Sequence, residues 1–372
     1  MEALYSINRI ELIENLQKME SSSEVKSILI LMTDDGVCDP EFMNPVLSTF
    51  SKSIIGGVFH EIIVDSVRKD IGALLLPLNF ELKTQLFELS ADESQFYSKM
   101  EIVFSENMPD TGSVFVFEDA FVDGKTAFVE SLFNFFGSNF KFLGAGCGSY
   151  AFKSFPCVIH NSGVFSNMGV IGVTSEPVSL GVAHGWLSIS SPMKVTETES
   201  TKVLTINWEP AFDVYKRIVE AHSHRTFDDT NFLDIAKSYP LGLVKIDGEM
   251  VVRDPIKTED GCLLFFDNIE IGRYICILHG SVESLLEGAY AAKDKCVHCI
   301  RENETTDGFV FCIDCFSRVK FLEDVFTSEL DVISGGQTVY GALTFGEIAN
   351  VGDSFLEIYN KTVIVAKWKQ TI

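Results

Sequence analysis

Unbroken apolar runs that end in polar residues constrain this chain most. Residues 308–318 read GFVFCIDCFSR, and residues 341–362 read GALTFGEIANVGDSFLEIYNKT. A run that is apolar at nearly every position cannot leave one face in water. It reads as a strand buried on both faces, with a covering layer on each side. KSILILM (26–32), GALLLPL (72–78) and SVFVFEDAF (113–121) are runs of the same kind. Charged and amide groups at the ends of such runs must meet partners or line a cavity. Arg318, Glu347 and Asn350 are therefore candidate ligand contacts, and Tyr340 is a ring that could stack on a ligand or hydrogen-bond to it. The competing role is structural, with Arg318 and Glu347 paired to lock the last strands together.

Helical patterns separate the runs. Leu4, Ile7, Ile10, Ile13, Leu16 and Met19 recur by threes and predict a helix over residues 2–20, which Ser21–Glu24 breaks. Asp39 before Pro40 predicts a capped helix. Residues 79–100, 124–136 and 281–293 also read as helices. Gly56 and Gly57 predict a turn or a close backbone approach, and Asn161-Ser162-Gly163 the turn of a hairpin. Strand-rich blocks alternate with helices twice over. The expected class is α+β, with two lobes, each a mixed β-sheet flanked by helices, and helix-sheet-sheet-helix as a layering to test. A length of 372 residues accommodates two domains.

Composition excludes several functions. A net charge of −24 argues against nucleic-acid backbones and anionic membrane surfaces. No apolar run approaches the ~20 residues needed to span a bilayer, and no secretory leader is visible. Nine Cys lie mostly in apolar runs, as in a reducing cytoplasm. No G-x-S-x-G, H-E-x-x-H or P-loop is present, and LGAGCGSYAF (143–152) lacks dinucleotide-binding spacing. A non-enzymatic protein is expected, with Cys315 as nucleophile of a thiol enzyme the remaining catalytic alternative.

The strand with Cys315-x-x-Arg318, the Gly346-Glu347-Ile348 turn and the Asn360-Lys361-Thr362 strand resemble the C-terminal half of the FIST family. GGVFHEII (56–63), GVAHGW (181–186) and EPAFDVYKRIVEA (209–221) resemble its N-terminal half and the linking helix, and the resemblance covers roughly residues 25–365. His60 departs from the pattern, while Glu61 stands where the family carries an acidic or amide residue. The resemblance implies an N-terminal helix (1–24), a FIST N domain (25–215) and a FIST C domain (216–372). It implies a cytoplasmic sensor that binds a small molecule and controls a separate histidine kinase or a diguanylate cyclase or phosphodiesterase, with a homodimer through the first helix as one assembly. GALTFGEIAN (341–350) and YNKT (359–362) are similar to the branch that includes haem-containing nitric-oxide sensors.

Haem and zinc are the two candidate cofactors. A haem sensor needs a neutral imidazole facing an apolar pocket, and His184 leads, followed by His60, although a hydrogen-bonded structural histidine is the commoner role. Cys296-x-x-Cys299 and Cys312-x-x-Cys315 have zinc-ribbon spacing, which would make a zinc-stabilised interaction module. Buried thiols that pack as small hydrophobes are the commoner alternative.

Overall fold

The computed structural model describes the chain except residues 36–37, 90–91, 107, 246–249, 299–307, 351–354 and 370–372, and the side chain of His298. Its frame is three strand-helix-strand units. Ser27–Thr33 and Ser53–Phe59 pair in parallel across the helix Pro40–Leu47. Gly112–Asp119 and Phe140–Cys147 do so across Lys125–Phe136. Val310–Cys315 and Val339–Thr344 do so across Phe316–Leu322 and Phe326–Ser334. Parallel neighbours need such crossovers, because a tight turn cannot bring the chain back in the same direction.

Each unit seeds a six-stranded sheet, and the three sheets share one order. The first runs Leu4–Ser6, Ala73–Leu78, the parallel pair, Val158–His160, Gly163–Phe165. The second runs Lys83–Glu88, Met168–Thr174, the pair, Glu347–Ala349, Glu357–Tyr359. The third runs Val178–Ala183, Val363–Trp368, the pair, Glu61–Val64, Val67–Lys69. After its parallel pair, each unit sends the chain into another sheet. Ser53–Phe59 continues into the third sheet at Glu61, Val339–Thr344 into the second at Glu347, and Phe140–Cys147 into the first at Val158. The exchange is cyclic and gives the topology a threefold pattern.

One buried cluster joins the sheets, with Ile30 and Phe59 from the first, Phe117 and Ala145 from the second, and Ile313 and Ile364 from the third. Helices cover the outer faces. Glu93–Phe104 and Lys125–Phe136 pack on the second sheet, and Val282–His298, Phe316–Leu322 and Phe326–Ser334 on the third. Leu12, Leu16, Met43 and Leu47 bring two helices onto the first. The α+β class with mixed, helix-flanked sheets is as expected. A fourth, nine-stranded sheet between residues 187 and 279 packs the helix Ala211–Ser223 over its own core, which includes Val195, Tyr215 and Ile277. The expected boundary at 215/216 passes through this unit, and all three six-stranded sheets except the first draw strands from both sides of it.

Two helix expectations change. Residues 79–100 hold the strand Lys83–Glu88 before the helix Glu93–Phe104, because KTQLFE pairs along Met168–Val173. Residues 2–20 open with a strand, Leu4–Ser6, and the helix starts only at Arg9, capped by Asn8. Its buried face is Leu12, Asn15, Leu16 and Met19, while Ile7 and Ile10 point to water. Ile7 precedes the helix, and spacing by threes drifts off a 3.6-residue period, so Ile10 leaves the face. Among the described residues, no helix is long and apolar enough to cross a membrane.

Candidate ligand-binding site

The polar residues read from the strand ends do not converge. Arg318 lies on the short helix after Val310–Cys315 and is fully buried. Its Nε (3.0 Å) and Nη2 both donate to Glu329 Oε1. Nη1 donates to the carbonyls of His184 and Lys361, and Nη2 to that of Leu285. All five guanidinium donors are thus used. The ion pair is with Glu329, not with Glu347 as the strand-locking reading had it. Asp314 Oδ1 is 3.3 Å from Arg318 Nε. Burial, then the Glu329 charge, drives the Asp314 carboxyl well above its usual range. Two buried carboxyls facing one guanidinium are balanced when one keeps its proton.

Glu347 opens the strand Glu347–Ala349. It accepts from Thr344 Oγ1 (2.8 Å) and from the Thr362 amide (3.3 Å). Burial pushes its carboxyl up to about 8, although those hydrogen bonds and Arg318 oppose the shift. Asn350 Oδ1 accepts from the Phe142 amide and its Nδ2 donates to the Phe140 carbonyl, extending the ladder by a side chain. Tyr340 donates to Asp65 Oδ1 (2.7 Å) and lines a groove of about 590 Å³ with Tyr5, Val64 and Phe309. This groove lies at the amino ends of the third sheet's parallel strands. Glu61 forms a two-pronged pair with Arg68.

The cysteine and histidine candidates also separate. Cys296 and Cys312 are buried in the core behind the third sheet, and Cys296 Sγ approaches the Ser179 carbonyl. Cys315 ends its strand, and burial, then Glu347, raises its thiol far above the ordinary range. A buried, protonated thiol is a poor nucleophile and a poor metal ligand. Cys299 lies outside the described residues, among which no group of three or more His, Cys, Asp and Glu side chains could hold a metal. His184 is buried, and its Nδ1 accepts from the Trp186 amide (2.9 Å), which braces the turn.

His60 is placed differently. It follows Phe59 at the carboxyl end of a parallel strand, half-buried, with Nδ1 3.4 Å from Asp34 Oδ2. Burial raises the Asp34 carboxyl despite the opposing His60. The carboxyl ends of the other units reach the same place. The Gly148 amide donates to Val58 O (2.9 Å), the Gly146 amide to Gly346 O (2.8 Å) and the Phe345 amide to Gly146 O (3.1 Å). Aromatic residues follow these ends closely. The His60 ring stacks on Tyr150 (5.6 Å) and meets the edge of Phe316 (5.5 Å). Tyr150 leads on to Phe152 (5.3 Å), and Phe152 to Phe345 (5.7 Å), Phe121 (5.7 Å) and Phe266 (6.0 Å, nearly parallel). Tyr150, Phe152 and Phe266 are 53%, 44% and 59% exposed, so this aromatic mouth faces solvent. Phe152 holds φ +51°, a costly backbone for a bulky side chain.

Behind Phe266, Asp267 pairs with Lys125 (3.0 Å) and Arg253 (3.7 Å). Burial raises Asp267, but these two cations more than offset it and hold the carboxyl below its usual value. Glu118, at the end of Gly112–Asp119, is buried next to them with no hydrogen-bond partner on Oε2. Burial pushes it up to about 8, with Lys125 opposing. Glycines near the strand ends were legible in the sequence, but of the rings His60 alone was singled out. An aromatic residue within five positions of the end of all three units was the available signal.

Parallel strands commonly bind ligands at their carboxyl ends, where the chain departs for a different place in the fold. The mouth occupies that position three times over. It takes His60, Tyr150 and Phe152 from the first half of the sequence and Phe266, Phe316 and Phe345 from the second. A ligand resting there would touch both.

A search of curated proteins finds no match to the chain. Sequence models of two domains do match, the FIST N domain over residues 29–209 and the FIST C domain over residues 211–350. FIST domains are small-ligand sensory domains of signalling proteins. The two matches abut and together span most of the chain, which belongs to the FIST family.

Proposed function

We propose that this protein is a non-enzymatic cytoplasmic sensor whose aromatic mouth takes a small ligand and whose bound state alters contact with a separate signalling enzyme. The resemblance implies a histidine kinase or a cyclic-di-GMP enzyme as that partner. The observation that carries the reading is the joint origin of the mouth. Rings from both halves of the sequence meet there, so a ligand gripping them has differential contacts with two arrangements of the strand ends, as a population shift requires. Arg318, Glu347 and Asn350 then serve the site by fixing those strands and need not touch the ligand. A thermal-shift screen of metabolites against the whole chain tests the reading. Hits whose shift disappears in Tyr150→Ala support it. Hits unaffected by Tyr150→Ala and by Phe152→Ala would place binding elsewhere.

The second reading is a haem-based nitric-oxide sensor, and the surroundings of His60 favour it. An axial histidine commonly gives its other ring nitrogen to a carboxylate, and Asp34 stands beside Nδ1. The neighbouring rings suit a flat apolar macrocycle. If haem binds here, added haemin gives a Soret band that His60→Ala removes and His184→Ala keeps. A chain that stays colourless with excess haemin excludes this reading.

A further inference from the structure

We propose that the ligand of the aromatic mouth is an organic anion, a flat apolar body carrying a carboxylate, with Lys320 receiving the charge; this rests on the mouth being the ligand site. Lys320 is exposed on the helix Phe316–Leu322. Its Nζ lies 5.1 Å from the Tyr150 ring centre and 5.0 Å from that of Phe316. His60 meets the same two rings. Lys320 forms no ion pair with any described residue, although the chain carries 53 acidic residues against 29 Lys and Arg. It is held over two ring faces instead, where cation–π attraction keeps it at the rim without neutralising it. Two carboxylates next to the mouth are already engaged. Asp34 faces His60, and Asp119 accepts from Ser154 Oγ and from the Phe121 and Asn167 amides.

The site therefore offers two kinds of contact at a short span. Tyr150 and Phe152 present ring surface to a flat body, and the ammonium beside Tyr150 presents a full charge to its head group. A cationic ligand would meet that ammonium at the same rim and be repelled. A neutral one would gain stacking only.

Isothermal titration of the full chain at low salt tests this with benzoate, 2-naphthoate and indole-3-carboxylate, each beside its neutral alcohol. The acids should bind about three- to fivefold more tightly than the alcohols, the scale of one exposed charge pair. Lys320→Gln should bring each pair level, and added salt should do the same. Tyr150→Ala should weaken acids and alcohols alike. If acids and alcohols bind equally to the native chain, or Lys320→Gln leaves the acids unchanged, the anion assignment is wrong while the mouth remains the site. If none of the six compounds binds, or Tyr150→Ala affects none of them, the mouth itself is wrong as the site.

Discussion

At the scale of single residues, buried ionisable groups divide into braces and proton holders. Arg318 is a brace. It ties the carbonyls of His184, Leu285 and Lys361 to Glu329, so four distant segments depend on one planar fork. Arg318→Met would leave two buried carboxyls without a cation and remove a donor from each of three carbonyls. Breaking a buried pair this way costs about 3–5 kcal/mol, and urea unfolding should show that loss. Arg318→Lys should recover little, because an ammonium has three donors and no fork. A variant within about 1 kcal/mol of the native chain would remove Arg318 from this role. Glu118 is a proton holder. Its folded value near 8 stands above the ordinary 4.5. Below 4.5 it is protonated folded or unfolded, and stability does not change with pH on its account. Between 4.5 and 8 the unfolded chain releases the proton and the folded chain keeps it, so stability falls as pH rises, by up to a few kcal/mol. Glu118→Gln should flatten that fall in unfolding midpoints measured from pH 5 to 9. Part of the slope should survive, since Glu347 is raised similarly. A Glu118→Gln curve parallel to the native one would show that Glu118 ionises freely in the folded state.

At the scale of elements, each parallel pair places a glycine at the same point. Gly56 faces Ile30, Gly144 faces Val116 and Gly341 faces Cys312, each three residues before its strand ends. A Cβ there would lie 1.8, 2.1 and 1.8 Å from the facing carbonyl oxygen. Backbone cannot swing aside as a side-chain tip can. Alanine at each of the three positions should therefore destabilise by about 1–3 kcal/mol, read as a lowered urea midpoint; a neutral Gly144→Ala would break the equivalence. The sequence shows these glycines plainly in IIGGVFH, LGAGCG and YGALTFG. It does not distinguish a close approach from a turn, because the facing carbonyl is up to 29 residues away. Strands buried on both faces were readable for a related reason, since a continuous apolar run has no other home in water. Lys83–Glu88 was not, because its pairing with Met168–Val173 rather than its own pattern makes it a strand. The site was partly legible. Arg318, Glu347 and Asn350 had to be satisfied, but sequence gives no distance to a partner, and Glu329, Thr344 with Thr362, and the backbone of Phe140 and Phe142 proved to be among those partners, respectively.

At the scale of the molecule, the two family domains do not correspond to separable bodies. The third sheet takes Glu61–Val64, Val67–Lys69 and Val178–Ala183 from the first domain, its parallel pair from the second and Val363–Trp368 from the residues after it. The second sheet takes Glu347–Ala349 and Glu357–Tyr359 in return. A chain ending at residue 210 would expose Ile62, Val182 and the edge of Phe140–Cys147, each of which now pairs with or packs on the other half. The complementary piece would lose Glu61–Val64, the outer neighbour of Val339–Thr344, and Val67–Lys69 beyond it. Unpaired edges and uncovered apolar faces favour aggregation over folding. Residues 1–210 and 211–372 produced separately should therefore each lack a cooperative thermal transition by circular dichroism, and produced together they should co-purify with one transition shared by both pieces. On the proposed reading, the same exchange would carry a contact at the mouth across the chain, because each sheet holds a strand that continues from another unit. A first fragment that melts cooperatively alone would show that the cyclic exchange is decoration on an independent domain, and the coupling between mouth and molecule would have to be sought elsewhere.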